Sequence, residues 1–480
     1  MSEEIRNLEP KNLWNHFADL NAIPRPSKKE DKVREFMLKF GEKLNLESIV
    51  DAVGNVIIRK PATLGMENRK TVVLQSHLDM VCQKNNDTQF DFNTQGINMY
   101  VDGDWVTADG TTLGADNGLG VAAIMSVLKS NDIPHPALEA LFTVDEETGM
   151  TGALGLQAGY LNGEILLNLD TEDDSEIAMG CAGGIDITAE KKYQTENPKA
   201  TKAYQLKVKG LRGGHSGVDI HKGFGNANKM MNRLLFVLNN EVAIAEIDGG
   251  SLRNAIPRES TAIIVTDNDI DVTFTQTRDQ IIEEYQKIEP NIEILLDQVA
   301  IPTKVMTKSE QDNLIKTVYT IHNGVFRMSP DIEGLVETSN NLARVLVKNG
   351  CIKILNLTRS ATEVGKMDMA NQIKCGLELA DFDVTLDGSY PGWKPNPDSK
   401  ILQVLVDLYQ KQFNAEPEII AYHAGLECGI LGANYPDMDM ISFGPTIQRA
   451  HSPDERASIS STQKFWSFLL EILKNIPDKS

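Results

Sequence analysis

Apolar positions early in the chain recur with two different periods. Leu13, Phe17 and Leu20 repeat at helical spacing. After the break Ile23-Pro24-Arg25-Pro26-Ser27, Val33, Phe36, Met37 and Phe40 do so again, which predicts two covering helices within 11–44. Asp51 to Ile58 reads as a hairpin strand leading into Thr71-Val72-Val73-Leu74, a buried strand predicted over 71–76. Val121 to Leu128 reads as an apolar helix. The stretch 137–147 alternates as a strand does, with Leu138, Ala140, Phe142 and Val144 on one face and Glu139, Leu141 and Thr143 on the other. Glu164 to Leu169 predicts a further strand.

Beyond Gly180-Cys181-Ala182-Gly183-Gly184 the pattern changes to strands interleaved with two long helical patterns. The strand at 204–208, the helix Ala227 to Leu238 and paired strands near 243–247 and 261–265 are examples. From 392 onward the α/β alternation returns, with a helix at 399–413, strands at 418–422 and 440–443, and a terminal helix from Phe465 to Leu473. The predicted architecture is an α/β catalytic domain, its mixed and mostly parallel sheet flanked by helices, formed by 1–186 and 392–480. An α+β lid domain over 187–391 is inserted into it.

Composition narrows the setting. The 480 residues are 41% apolar and 24% charged, as in a soluble globular protein with a substantial core. The formal charge of −21 disfavours nucleic acid and anionic membrane as partners. No apolar run reaches the ~18 residues of a membrane helix, and the acidic start Met1-Ser2-Glu3-Glu4-Ile5 lacks the apolar core of a signal peptide. Five scattered cysteines without a C-x-x-C pair predict a reducing, cytoplasmic location.

The candidate chemistry lies where these elements end. The strand at 71–76 runs into His77-Leu78-Asp79, where period-2 alternation points an imidazole and a carboxylate the same way. A His oriented by a carboxylate is a frequent metal ligand. Asp116, at the mouth of the helix after 111–120, is either an N-cap or a ligand. The glycines around it lack the G-x-G-x-x-G spacing and the segment before them is polar rather than a strand, so a dinucleotide loop is rejected. Asp145-Glu146-Glu147 and Asp170-Thr171-Glu172 end two further strands, as solvated turns or as ligands, and a late loop adds His451. In open α/β sheets ligands gather outside the carboxyl ends of the strands, so these groups could converge. Two His and three or more carboxylates suit zinc, cobalt or manganese. In the inserted region, His215 between glycines predicts a flexible, exposed loop, and Arg253-Asn254-Ala255-Ile256-Pro257 and Thr358-Arg359-Ser360 lie at strand-to-loop junctions.

The motifs Ser76-His77-Leu78-Asp79, Gly114-Ala115-Asp116-Asn117, Asp145-Glu146-Glu147-Thr148-Gly149, Asn168-Leu169-Asp170 and Ala450-His451-Ser452-Pro453 resemble those of the M20 family of co-catalytic metallopeptidases. The Gly-Gly-His-Ser-Gly loop, the Arg-Asn-Ala-Ile-Pro segment and Ala421 through Gly429 extend the resemblance over nearly the whole chain. It implies two divalent ions, zinc foremost and cobalt or manganese as alternatives. His77 and Asp170 would hold one, Glu147 and His451 the other, and Asp116 would bridge them. It further implies Glu146 as general base toward a bridging water, Asp79 as the partner orienting His77, and His215 as an oxyanion donor. Asn254, Arg359, His423 and Glu427 would bind substrate. Adjacent residues at a strand end point apart, which suits dividing Glu146 and Glu147 between base and ligand. The implied activity is hydrolysis of dipeptides, Xaa-His among them, by a homodimer associating through the lid. The alternatives are an M20-type N-acyl-amino-acid deacylase or carboxypeptidase, or a non-catalytic peptide- or metal-binding protein on this fold.

Overall fold

The computed structural model describes residues 3–479, which divide into two compact units. The first comprises Met1–Gly180, Pro395–Ala421 and Leu426–Ser480; the second comprises Cys181–Lys394 and Tyr422–Gly425. The borders thus fall at 180/181 and 394/395 rather than at 186 and 392. The tetrapeptide 422–425, expected in the catalytic domain, belongs to the second unit.

The first unit is built on an eight-stranded mixed sheet in the order Glu47–Val50, Val56–Lys60, Leu138–Thr143, Val72–His77, Ile165–Asn168, Asp439–Ser442, Glu176–Cys181, Glu418–Tyr422. The four strands from Leu138–Thr143 to Asp439–Ser442 are mutually parallel, and the outer pairs Glu47–Val50 with Val56–Lys60 and Val56–Lys60 with Leu138–Thr143 are antiparallel. Val72–His77 and Leu138–Thr143 are buried at every position, because a parallel sheet is covered on both faces. The alternation read in 137–147 therefore marks no solvent face: Glu139 is buried, and its carboxylate accepts from Arg59 Nε and the Asn162 and Gly163 amides.

Helices Lys11–Asn21 and Asp31–Lys43 occupy the expected places, and Ala115–Lys129 lies beside Val72–His77 with nearly all of its residues buried. The stretch before that helix, read as polar, contains the strand Trp105–Ala108. It joins Met99–Asp102, Arg456–Ser458 and Ile447–Gln448 in a small antiparallel sheet.

The second unit is an antiparallel sheet of nine strands, in which Val336–Lys348 and Cys351–Ser360 form a long central hairpin. Its turn, Asn349-Gly350, has φ of 54° and 77°, the left-handed pair that a two-residue hairpin favours. Helix Ala227–Leu238 lies where periodicity placed it. Asn226 caps it, accepting from the amides of Asn228 and Lys229, and Met230, Met231, Leu234, Leu235 and Leu238 form its buried stripe. Three more long helices accompany it, Asp271–Tyr285, Lys308–Thr320 and Glu363–Glu378, against two read from the sequence. Among the described residues no helix is long and apolar enough to cross a membrane.

Candidate metal centre

The carboxyl ends of the parallel strands bring together the side chains named from the sequence. His77 closes its strand in register with Thr143, the last residue of the neighbouring strand, and both chains then turn into loops on the same edge. His77 Nε2 lies 3.1 Å from Asp116 Oδ1 and 3.4 Å from Asp170 Oδ1. His451 Nε2 lies 3.1 Å from Asp116 Oδ2 and 3.0 Å from Glu147 Oε2. One carboxylate, Asp116, therefore faces a different imidazole with each of its oxygens. Asp116 and Asn117 are themselves non-helical, with φ/ψ of −79°/111° and −105°/31°, and the regular helix follows them; both oxygens of Asp116 face imidazoles.

Glu146 and Glu147 do not end a strand. The strand stops at Thr143, Asp145 adopts a left-handed φ of 54°, and Glu146–Gly149 forms a single helical turn. The expected divergence by strand alternation therefore does not apply, and a carboxylate oxygen of each glutamate comes within 4.8 Å of His77 and of the other. Asp79 has two duties. Its Oδ1 sits 3.4 Å from His77 Nδ1, while its carboxylate accepts the amides of Glu146 (3.0 Å) and Glu147 (3.2 Å) and the hydroxyl of Ser27 (2.8 Å). It thus orients the imidazole and fixes the turn that carries both glutamates. No local pattern announces that second role, since the partners are far apart in sequence.

The electrostatics show more carboxylate than cation. Burial opposes charge on His77, yet Asp170, Asp116 and Asp79 overcome it and hold the imidazole well above its usual pKa. Hydrogen bonds to Asp116 and Glu147 lift His451 to about 11. Burial raises Asp116, but the two imidazoles outweigh it and hold this carboxyl below the usual range. Asp170 and Glu146 go the opposite way: burial, only partly offset by His77, pushes Asp170 up to about 6 and Glu146 well above the ordinary value.

The donors fit two divalent cations. Glu147 Oε1 and Asp170 Oδ1 are buried without a hydrogen-bond partner, an expensive arrangement unless a cation meets them. Donor atoms converge within 4.8 Å in three overlapping sets, His77–Asp116–Asp170, Asp116–Glu147–His451 and His77–Glu146–Glu147.

Arg359, His215 and His423 lie in the second unit. Arg359 is buried, and its guanidinium donates to the hydroxyls of Tyr390 (2.7 Å) and Ser216 (3.3 Å). His215 is half-buried rather than exposed. Its loop is tied to the Arg-Asn-Ala-Ile-Pro segment, with Ser216 N–H donating to the Asn254 carbonyl and Ile256 N–H to the Gly214 carbonyl. The amides of Gly217 and Val218 donate to His215 Nδ1, so the neutral ring carries its proton on Nε2, and burial together with Arg359 lowers its pKa to about 4. Asn254 has an exposed side chain. His423 is buried, with Nε2 2.7 Å from Ser339 Oγ. A Cβ at Gly217 would collide with the His423 carbonyl, so glycine permits that close approach.

Glu427 departs from expectation. It has no exposed surface, and its Oε2 accepts from Gln75 Nε2 and Thr143 Oγ1, both at 2.6 Å. It braces two neighbouring strands through that oxygen, while its Oε1 is buried without a hydrogen-bond partner. Ser339 and Tyr390 lie in no motif, and Ser216 enters the sequence reading only as part of the Gly-Gly-His-Ser-Gly loop; a hydroxyl by itself carries no signal.

An α/β unit that gathers two imidazoles and four carboxylates beside the carboxyl ends of its parallel strands, with orphaned oxygens among them, has the donor set of a metalloenzyme. The model of peptidase family M20/M25/M40 matches residues 73–475, and the chain belongs to this family. It is 44% identical over 483 aligned residues to the cytosol non-specific dipeptidase of Escherichia coli K12, covering 99% of this chain and 100% of that protein. The crystal structure of aminoacylhistidine dipeptidase from Vibrio alginolyticus matches with a TM-score of 0.92 at 43% identity, covering 99% of both chains. The aminopeptidase PepT from Bacillus cereus shares the fold, with a TM-score of 0.58 at 16% identity over 98% of this chain and 99% of that one.

Proposed function

We propose that this chain is a dipeptidase of broad specificity, Xaa-His dipeptides included, acting in the cytoplasm with two divalent ions, zinc foremost. The observation that carries the reading is the sharing of Asp116 between His77 and His451, supported by full-length similarity to a dipeptidase. His77 and Asp170 would hold one ion, Glu147 and His451 the other, and Asp116 both. When bound, such a pair supplies Lewis-acid chemistry, lowering the pKa of water and polarising a carbonyl.

The residues of the chain do the rest. Glu146, whose buried carboxyl favours holding a proton, takes one from the attacking water and delivers it to the departing amine. Asp79 holds the turn that carries Glu146 and Glu147 through their amides. His215, neutral with Nε2–H outward of its loop bonds, is proposed as the oxyanion donor, worth roughly 3 kcal/mol. Arg359 is proposed to take the substrate carboxylate as a bidentate pair, with Asn254 and His423 beside it in the same unit. Association of two chains through the second unit is a separate proposal, checked by light scattering.

The deciding assay offers Ala-His and Gly-Leu against N-acetyl amino acids, with protein reconstituted in zinc, cobalt or manganese. Cleavage of the free dipeptides is expected. Turnover of the acetylated compounds alone would replace this reading with a deacylase.

A further inference from the structure

Two buried side chains outside the proposed donor set hold the backbone that presents Asp116. Glu455 is 2% exposed and lies at the start of the strand Arg456–Ser458, just beyond the His451 loop. Its Oε2 accepts the amides of Leu113 (2.8 Å) and Gly114 (2.9 Å), and its Oε1 those of Ala115 (2.8 Å) and Asp116 (3.3 Å). Four consecutive amides thus converge on one carboxylate, a nest closed by the protein's own anion. Arg25 is 1% exposed and approaches from the break between the first two long helices. Its Nη1 donates to the carbonyls of Leu78 (3.1 Å) and Asp79 (2.9 Å), its Nη2 to the carbonyl of Gly114 (2.5 Å) and to Asn21 Oδ1 (3.1 Å). Gly114 has φ of 71°, and a Cβ there would lie 2.5 Å from Arg25 Nη2, so glycine lets the guanidinium close on this loop.

We infer that Glu455 and Arg25 are positioning residues that jointly set the Asp116 carboxylate between His77 and His451. Arg25 ties the segment following His77 to Gly114; Glu455 ties Leu113–Asp116 to the segment following His451. Together they join the three stretches that carry the two imidazoles and the shared acid. Buried side chains that orient ligands in this way set metal affinity as strongly as the ligands' neighbours in other sites do. The inference rests on reading Asp116 as the shared ligand.

Cobalt(II) is the probe, titrated into metal-stripped wild type, Glu455→Gln and Arg25→Lys and followed by visible absorption. Glu455→Gln keeps the side-chain size but turns an NH2 group toward amide donors; Arg25→Lys keeps the charge but loses the fork. Wild type is expected to take up two cobalt ions per chain. Each variant should bind cobalt about 10–100-fold more weakly with an altered spectrum, and at saturating cobalt should lose kcat while KM holds. In metal-free wild type the amides of Gly114 and Ala115 should exchange as slowly as those of the adjacent strands. Unchanged cobalt affinity in the folded variants overturns the inference. So does rapid exchange at those two amides, which decides the matter even where neither variant folds. Wild type that takes up fewer than two cobalt ions removes instead the reading of Asp116, an outcome distinct from full uptake with unaffected variants.

Discussion

The two units bury charge in opposite ways. At the strand ends of the first, four carboxylates crowd two imidazoles, and two carboxylate oxygens are left without hydrogen bonds. In the second, a buried guanidinium donates to hydroxyls, and the two nearby imidazoles stay neutral, at about 4 for His215 and about 3 for His423. The first arrangement is electrostatically incomplete and calls for cations. In the second, the hydrogen bonds of the guanidinium go to neutral hydroxyls, which leaves its charge uncompensated and suits a carboxylate ligand.

Glu146→Gln tests the incomplete side most severely. Loss of the proton carrier should lower kcat by about 10^3–10^4-fold, with metal content by mass spectrometry unchanged. Metal loss instead would exchange the roles of Glu146 and Glu147. His451→Ala should follow: its side chain is 52% exposed against 1% for His77, so the site should keep the inner ion and fall toward one metal per chain. Two ions retained would mean that His451 is not a ligand.

In the second unit, Arg359→Met should raise KM about 10–100-fold, the loss expected for one charge-assisted bond of ~1.5–3 kcal/mol, while metal content holds. A change in kcat alone would place Arg359 away from the substrate carboxylate. The smallest effect concerns pH. Burial first, then Arg359, holds His423 neutral down to about 3 from an ordinary 6.5. Below pH ~6.5 the unfolded chain therefore binds this proton more readily than the folded one, and stability falls as pH drops toward 3. Replacing His423 with Gln should flatten that acid limb of the melting temperature. An unchanged slope would show that His423 is not its source.

Much of this was legible in the chain. Periodicity placed the buried strand before His77 and the helix Ala227–Leu238, and motif spacing named the residues that converge around Asp116. What escaped reading depends on contacts distant in sequence. Burial on both faces of Leu138–Thr143 depends on elements supplied elsewhere, so its alternation marks a strand without showing which faces are covered. The left-handed Asp145 that redirects Glu146 into a helical turn has no compositional mark. The grip of Asp79 on two amides, of Glu427 on two strands, and the transfer of 422–425 to the second unit are all tertiary facts.

The first unit is sewn from three stretches of chain, and its strand Asp439–Ser442 pairs in parallel with Ile165–Asn168. Synthesis delivers these partners about 270 residues apart, an interval of roughly 15–50 s at ~5–20 residues per second. Throughout it, one edge of Ile165–Asn168 has no partner strand, and His451 has not yet been made. The nascent chain must therefore keep a hydrophobic sheet edge covered while an entire second unit folds. Under the proposed ligand assignment, the second imidazole of the centre is therefore made only after the whole of the long insertion Cys181–Lys394.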